Sequence, residues 1–326
     1  MADLQNSKGR FDGSVKDYRP IHRLIVLLAC LTVLLLVAGA LVTSNEAGDS
    51  VPDWPMSFGR WLLFGSRQFV GNVRYEYSHR FLAGAVGSVT LLAAVLVWSR
   101  EKLRGRFGWL VTAALLGVIF QAGLGGIRVL FPAYKAPIAI VHAFVAQSFF
   151  CLVVTLALIT SKGWNEFNRL RSDRSSSSLT MLSGATVALV MVQLILGAGF
   201  RHGILPIGWH IGGAVTVLLF VSATAIRIYK DHSDYRYLMR PSLAMIGLLI
   251  CQIGLGIGAY VARLSSLDDP QPLEPMISLT VAHVVVGALT LASVLVVALR
   301  CYQVLGPQTR AERIDVSQAA PGFGPA

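Results

Sequence analysis

Charged residues are scarce in this chain of 326 residues: they make up 14% of it, whereas a soluble domain carries about 25%. Segments in which polar and apolar residues alternate, which are typical of a membrane β-barrel, are also missing. These absences exclude a soluble domain and a barrel. What is present instead is 54% hydrophobic residues and a mean hydropathy of +0.62. The composition therefore predicts an all-α integral membrane protein.

Eight hydrophobic runs of roughly 20 residues, the length that crosses a bilayer as a helix, predict eight transmembrane helices. Their approximate limits are 22–43, 79–98, 109–130, 138–160, 180–200, 208–226, 242–263 and 277–299. The first run contains Ala38-Gly39-Ala40, which resembles a signal-peptide cleavage site. It is too long for the apolar core of a signal peptide, so we expect it to be the first span.

Acidic residues are also few, 17 against 28 lysines and arginines, and the net charge is +11. Most of the basic residues fall at the two ends of the chain and in every second loop, and the positive-inside rule makes those segments cytoplasmic. We expect a multi-pass protein of the inner (cytoplasmic) membrane with both termini in the cytoplasm. The basic loops account for the charge without a nucleic-acid partner.

Cysteine is rare as well. The four cysteines are Cys30, Cys151, Cys251 and Cys301. None of them falls in a loop on the predicted outer side, so we predict no disulfide and favour a role as small buried apolar side chains.

A short element recurs in three odd-numbered spans, as Gln121-Ala-Gly-Leu-Gly125, Gln193-Leu-Ile-Leu-Gly197 and Gln252-Ile-Gly-Leu-Gly256. Repetition at this scale indicates two pseudo-symmetric four-helix bundles. The predicted divisions are an N-terminal tail at 1–21, an N-terminal half at 22–161, a Ser-rich cytoplasmic linker at 162–179, a C-terminal half at 180–300 and a disordered tail at 301–326. We attribute the repeated glycines to close packing of helices.

Four of the seven histidines fall at the same relative depth, near the predicted outer ends of the even-numbered spans. They are His79, His142, His210 and His283. A lone histidine in a membrane helix is often only a helix contact. Two neutral imidazoles that face each other from neighbouring helices, however, can bind one haem iron. Two such histidines in each half therefore predict two bis-histidine haem sites.

The two halves differ beside these histidines. Glu76 lies three residues before His79, whereas Ile207 holds the matching position before His210. A carboxylate beside one site could relay protons, stabilise a cation or act as a base, although a carboxylate at a helix start is also favoured by the helix dipole. The asymmetry predicts a catalytic N-terminal half and a permanent redox haem in the C-terminal half.

Arginines are uncommon at the predicted outer ends of the helices. Arg128, Arg201 and Arg263 end spans 3, 5 and 7, and Arg80 follows a predicted ligand. A guanidinium pairs well with a haem propionate, and extension of the side chain from a helix end towards water explains the same positions equally well. Both interpretations stay open for these four residues.

The longest predicted outer loop runs from about residue 44 to residue 75. It contains Val51-Pro-Asp-Trp-Pro55. Asp53 and Trp54 are candidates for a lid over the N-terminal site, and loops often carry such functions. Prolines and aromatic residues at a membrane interface also serve as structural anchors.

Several of these segments together resemble the haem A synthase family, over about residues 20–300. They are Leu41-Val-Thr-Ser44, Pro52-Asp-Trp-Pro55, Glu76-Tyr-Ser-His-Arg80, Gln121-Ala-Gly-Leu-Gly-Gly126 and the histidines of spans 4, 6 and 8. The resemblance implies an oxidoreductase that converts a methyl group of haem O to a formyl group by successive hydroxylation and so supplies haem A to terminal oxidases. The partners it implies are haem O synthase and terminal oxidase assembly factors.

The resemblance also implies roles for individual residues. His79 and His142 would bind the substrate haem O, Glu76 would be the essential acid, and His210 and His283 would ligate a haem b cofactor. One departure concerns the loop: many members carry a cysteine pair around the Pro-Asp-Trp-Pro element, and here Val51 and Ser57 take the flanking positions. A thiol-dependent step is then absent or is carried out differently.

Two other functions fit the same helices. The first is a non-catalytic di-haem b cytochrome that passes electrons from quinol to a partner. The second is a transporter or assembly protein without haem, in which the histidines are helix contacts or proton-relay groups. A substrate haem that is exchanged and modified would argue against both.

Overall fold

The computed structural model describes residues 18–60, 69–165, 176–265 and 273–305. Within these ranges the chain forms eight long helices. They are α1 (Arg19–Ser44), α2 (Val73–Trp98), α3 (Glu101–Leu130), α4 (Lys135–Thr160), α5 (Ser176–Arg201), α6 (Ile207–His232), α7 (Arg236–Ser265) and α8 (Glu274–Leu305). Each contains a stretch long and apolar enough to cross a membrane, which confirms the predicted all-α membrane fold with eight spans.

The helices extend beyond the apolar runs at most of their ends. α2 begins at Val73, six residues before the run predicted at 79–98. A hydrophobic run marks only the part of a helix in the hydrocarbon core, and polar turns continue on either side of it. As a consequence, Glu76 and His79 both lie inside α2, one turn apart on one face.

The predicted boundaries at the linker and the tail change for the same reason. α5 begins at Ser176, inside the segment predicted as linker, and α8 continues to Leu305, inside the segment predicted as a disordered tail. Residues 1–17, 166–175 and 306–326 lie outside the described residues. The disorder predicted for the tail therefore concerns residues that the structure does not describe.

Each half of the chain packs as a ring of four helices. In the first half α1 and α3 both pack against α2 and α4, and in the second half α5 and α7 both pack against α6 and α8. Each ring has its own core, around Leu28, Phe107 and Val153 in the first half and around Val221 and Leu291 in the second. The halves meet where α8 contacts α1 and α4 and where α4 contacts α5.

Large apolar side chains also point away from both cores, among them Trp109, Leu219 and Ile250. Such an outer surface would be unfavourable in water, and it is the expected surface of a helix bundle in lipid. The four even-numbered helices carry the predicted histidine ligands within their first three turns, and the ends of α1, α3, α5 and α7 lie beside them. We call this the histidine end of the molecule.

Candidate functional site

Each of the four histidines lies against a glycine of the preceding helix. A Cβ atom added to Gly39, Gly125, Gly197 or Gly256 would lie 3.2, 3.8, 2.8 or 2.9 Å from Cε1 of His79, His142, His210 or His283, respectively. The distances for Gly197 and Gly256 leave no room for a methyl group. The glycines therefore do more than bring helices together, since they make the space in which the imidazoles lie.

The histidines of the second half face each other. The ring centroids of His210 and His283 are 6.2 Å apart, and the ring planes are 83° apart. Two metal–imidazole bonds of about 2 Å each would separate two rings by roughly this distance. The described residues contain no group of three or more His, Cys, Asp and Glu side chains that could hold a metal ion by themselves. A histidine pair fits a haem, because the macrocycle supplies the other ligands of the iron.

Glutamines fix the histidines of the second half. Gln193 Nε2 donates a hydrogen bond of 2.8 Å to the carbonyl of His210 and lies 3.0 Å from its Nδ1. His283 Nδ1 donates to the main-chain carbonyl of Gln252 at 3.1 Å, and the side-chain Nε2 of Gln252 lies 3.3 Å from His283 Nε2. These contacts hold both rings in place, and the bond from His283 Nδ1 to a carbonyl is the kind that a metal-bound histidine makes with its second nitrogen.

The histidines of the first half have fewer such contacts. Gln121 Nε2 donates to the carbonyl of His142 at 2.9 Å. Nδ1 of His142 is buried and, among the described residues, has no hydrogen-bond partner. Nδ1 of His79 is also buried, and it lies near the Leu35 carbonyl without forming a hydrogen bond of normal geometry. The two rings are close enough for their charges to interact.

A fourth copy of the repeated element explains part of this difference. In α1 the segment that faces His79 is Leu35-Leu-Val-Ala-Gly39, so the glycine is present and a leucine takes the position of the glutamine. Sequence reasoning missed this copy, and it gave the glutamines no role. The signal was the four-residue spacing from glutamine to glycine, which puts both side chains on one helix face opposite the next histidine.

Glu76 is buried and ion-paired. Only 4% of its surface is exposed. Its Oε1 accepts a hydrogen bond of 2.6 Å from Arg80 Nη2, and its Oε2 accepts one of 2.9 Å from the backbone N–H of Val51. Glu76 thus forms an ion pair with Arg80 one helical turn from His79.

Arg80 is directed at the loop that joins α1 to α2. Its Nη1 donates to the carbonyls of Asp53 at 2.7 Å and Met56 at 2.9 Å. Its Nη2 donates to the carbonyl of Val51 at 3.2 Å as well as to Glu76. Its guanidinium thus makes four hydrogen bonds within the protein.

The other three arginines gather where the two halves meet. Arg128 Nη1 donates to the carbonyl of Gly48 at 3.2 Å, and Arg201 Nη2 donates to Ser44 Oγ at 3.2 Å. Arg263 stacks over the ring of Phe200 at 4.9 Å and is a charged neighbour of Arg201.

His202 lies beside this group, in the connection between α5 and α6. Burial lowers its pKa, and the charges of Arg201 and Arg128 lower the pKa further. The imidazole is therefore neutral at physiological pH. Positive charge at this position comes from the arginines, and it suits carboxylate groups of a ligand.

The described part of the α1–α2 loop, residues 45–60, reaches across the histidine end of the first half. The Trp54 indole packs directly on Gly126 of α3, where an added Cβ would lie 2.6 Å from the ring. Asp49 pairs with Lys135 of α4 at 2.6 Å. Together with the contacts of Glu76 and Arg80, these join the loop to three of the four helices of that half.

Asp53 shapes the tip of the loop. Its two carboxylate oxygens accept hydrogen bonds of 2.7 Å from the backbone N–H groups of Phe58 and Gly59. Burial alone would raise the pKa of Asp53, but these two N–H groups and the charge of Arg80 lower it, and the net pKa lies below the usual value. The lid predicted from Asp53 and Trp54 remains a proposal, and their contacts show how the loop is held.

The fold and the site define a multi-pass membrane protein with paired histidines at one end of its helix bundle. The chain belongs to the COX15-CtaA family of cytochrome oxidase assembly proteins, whose model matches residues 22–204. Three curated relatives are each named heme A synthase. The protein of Halalkalibacterium halodurans is 26% identical, over 73% of this chain and 87% of its own length. That of Alkalihalophilus pseudofirmus is 27% identical, over 73% and 85%. That of Rhizorhabdus wittichii is 23% identical, over 83% and 91%.

Proposed function

We propose that this protein is a haem A synthase, a membrane oxidoreductase that oxidises the methyl group of haem O to the formyl group of haem A. The observation that carries the proposal is the set of four histidines, each lying against a glycine of the preceding helix at one end of a bundle of this family. The names of the relatives support haem A biosynthesis over the di-haem cytochrome.

The contacts of the histidines support a division of labour between the halves. His210 and His283 would hold haem b, since hydrogen bonds to glutamine residues fix their imidazoles. His79 and His142 would bind haem O, which must enter and leave. Their buried and unpartnered Nδ1 atoms suit ligands that can shift between a bound and a free state. When bound, haem b supplies one-electron redox chemistry, which no amino-acid side chain in the site can provide.

The reaction removes four electrons from one carbon atom. Two successive hydroxylations, each of which gives two electrons to an external oxidant and adds one oxygen atom to the carbon, convert the methyl group first to an alcohol and then to a gem-diol, which loses water to leave the aldehyde. Glu76, paired with Arg80, would place a carboxylate one turn from His79. A negative charge at this place would stabilise positive charge that develops on the substrate.

The arginines would orient the substrate and the cofactor. Arg128 is a charged neighbour of both His79 and His142, and Arg201 and Arg263 lie at the ends of α5 and α7. A guanidinium binds a carboxylate with two parallel hydrogen bonds, so these three residues would bind haem propionates. Arg80 would act through the loop instead.

The distribution of basic residues supports a location in the inner membrane with both termini in the cytoplasm. The histidine end would then face outward. The proposed partners are haem O synthase, which would deliver the substrate, and the assembly factors of a terminal oxidase, which would receive haem A.

Coexpression with a haem O synthase in a host that lacks haem A tests the proposal. The non-covalent haems are extracted and identified by mass. We expect haem A or its hydroxylated precursor, and we expect Glu76→Ala to abolish both while haem B still copurifies with the protein. If haem O stays unmodified beside bound haem B, the protein is a di-haem cytochrome. If no haem is bound at all, both functions are wrong.

A further inference from the structure

The α1–α2 loop is fastened to α2 by the two charged residues that flank His79. Glu76 precedes the histidine by one turn and accepts the backbone N–H of Val51 at 2.9 Å. Arg80 follows the histidine directly and donates to three loop carbonyls at 2.7 to 3.2 Å. The two side chains also bond to each other at 2.6 Å. Few side chains on one helical turn make so many bonds to a single loop.

The far side of the same loop rests on α3 and α4. Trp54 lies on Gly126, next to the glycine that faces His142. Gly48 lies directly beneath the guanidinium of Arg128, which would have to move to admit a larger residue. Residues 45–60 thus reach from the turn of α2 that carries His79 to the turn of α3 that faces His142.

The geometry requires arginine at position 80. Its planar guanidinium carries five N–H groups in a fixed fork, and here the two terminal nitrogens serve four acceptors. A lysine has the same charge but a single nitrogen, so it cannot reach carbonyls on both sides of the fork. Bonds between a charged donor and carbonyl oxygens in a half-buried site are stronger than neutral ones.

We propose that Arg80 and Glu76 form a latch that holds residues 45–60 of the α1–α2 loop closed over the N-terminal histidine pair. Both are positioning residues in this role: Arg80 acts on the loop, and Glu76 orients Arg80 and anchors Val51. No thiol is involved. The latch governs how readily a ligand of His79 and His142 exchanges, and the identity of that ligand as haem O rests on the proposed function.

A thiol at a buried position of the loop reports whether the loop is held closed, and the measurement needs no haem. Ser57 is small and 4% exposed, so Ser57→Cys puts a thiol where a closed loop protects it. The purified protein in detergent is reacted with a water-soluble maleimide, and the signal from the four native cysteines is measured on the parent and subtracted. We expect slow labelling in the Ser57→Cys protein. Both Arg80→Gln and Arg80→Lys should accelerate it at least about tenfold, because several charged hydrogen bonds are lost.

Substitutions at two further residues test whether the labelling rate rises with the number of lost loop contacts. Glu76→Gln retains an oxygen that can accept from Val51 or Arg80, so it should accelerate labelling less than Glu76→Ala does. Asp53→Ala removes the bonds to Phe58 and Gly59 and loosens the loop without touching α2. It also keeps the test available if an Arg80 variant fails to purify as a single species.

Arg74→Gln is the matched control. Arg74 lies on the same helix, but its guanidinium stacks on Tyr75 at 4.7 Å and bonds to the hydroxyl of that residue. Its loss should leave labelling unchanged. Equal labelling rates in the Ser57→Cys protein with and without Arg80→Lys or Arg80→Gln would overturn the latch. A parent-like rate in Arg80→Lys alone would overturn it as well, since charge without the fork would then suffice.

A second readout separates loop holding from general structural damage. In the latch variants, haem O added to the protein should bind to and leave the N-terminal site faster, while the spectrum of any haem held by His210 and His283 stays the same. A change in both sites together would contradict the latch. Failure of haem O to bind even in the parent would contradict the proposed function and leave the labelling result standing.

Discussion

The two halves of this molecule share one arrangement of helices, but the surroundings of their histidines differ. In the C-terminal half, glutamines on α5 and α7 make hydrogen bonds to both histidines. In the N-terminal half, α1 carries Leu35 in place of a glutamine, and the Nδ1 atoms of both histidines are buried without a partner among the described residues. Among the described residues, the N-terminal half alone has an ion pair beside one of the four histidines, Glu76–Arg80, and residues 45–60 of its first loop contact that pair.

Under the proposed function, this difference suits the C-terminal half to a cofactor and the N-terminal half to a substrate. A permanent cofactor gains from ligands whose orientation is fixed before it binds. A substrate that must be released gains from ligands that are held less firmly, provided that something else closes the site during the reaction. The described residues show histidines with glutamine contacts in one half, and histidines with unpartnered Nδ1 atoms in the other.

The largest expected effect is the loss of a whole haem. His210→Ala and His283→Ala should each remove the haem that copurifies with the protein, because each substitution takes away one of the two proposed protein ligands of the iron. His79→Ala should retain it. The haem-to-protein ratio and the reduced-minus-oxidised absorbance spectrum measure this. His202→Ala is the control, a histidine of the same end outside both pairs. Retention in His283→Ala with loss in His79→Ala would reverse the comparison.

Removal of a glutamine should make the second half behave like the first. Gln193→Leu reproduces in α5 the residue that α1 has at position 35, and it deletes two contacts to His210. Loss of such a second-shell partner weakens metal binding by about 10- to 100-fold. Transfer of haem to an excess of a haem-free acceptor protein measures the retention. Gln121→Leu, the same change in α3, should leave that transfer rate unaltered.

A methyl group on the glycine behind each imidazole gives a matched pair of variants. Gly197→Ala would put a Cβ atom 2.8 Å from His210 Cε1, whereas Gly125→Ala puts one at 3.8 Å from His142 Cε1, an ordinary contact. Overpacking costs about 1–3 kcal/mol. Gly197→Ala should therefore weaken haem retention about tenfold and change the rhombicity of its low-spin electron paramagnetic resonance signal. If Gly125→Ala produced an equal effect, the glycines would serve only for helix packing.

The fold was predictable because the bilayer sets a simple rule. A run of about 20 apolar residues marks a span, and eight runs gave eight helices. The ends of the helices were not predictable in this way, because hydropathy is silent about turns such as Val73 to Ser78 that lie beyond the hydrocarbon core. The correct start of α2 matters, since it puts Glu76 on the same face as His79.

The position of the four histidines near one end of the bundle was predictable, and their surroundings were less so. Their role as haem ligands stays a prediction. The equal depth of four histidines along four helices is a pattern in one dimension, and the sequence shows it. The contacts of Arg80 with Asp53 and Met56 join residues more than 20 positions apart through main-chain carbonyls, which every residue has. Sequence cannot show which carbonyls a guanidinium will meet. Leu35 escaped notice because it is an exception to a repeat, and it looks like any apolar residue of a span.

The reverse substitution introduces a glutamine into the N-terminal half, where α1 lacks one. Leu35→Gln gives α1 the residue that α3, α5 and α7 carry four positions before the glycine, and its side chain could bond to His79. One hydrogen bond contributes about 1 kcal/mol, so haem O or its product should dissociate roughly fivefold more slowly from the N-terminal site. Stopped-flow absorbance measures the rate. Leu36→Gln, one position along, points away from His79 and is the control. Equal rates in Leu35→Gln and the parent would mean that the glutamines do not determine retention.

The smallest expected effect is an increase in the mobility of the loop at acidic pH. Because backbone N–H groups and Arg80 hold the pKa of Asp53 below its usual 3.8, its ionised form stabilises the closed loop, fully above that value and less as pH falls through the lowered pKa. A nitroxide on Arg60→Cys should therefore become more mobile in its paramagnetic resonance spectrum below about pH 4. The change should be at most a few-fold, since Asp53 is partly exposed to solvent. Asp53→Asn should remove this step, leaving the loop equally mobile on both sides of it. If the step persists in Asp53→Asn, another carboxylate controls the loop, and Glu76 in the latch is the first to examine by Glu76→Gln.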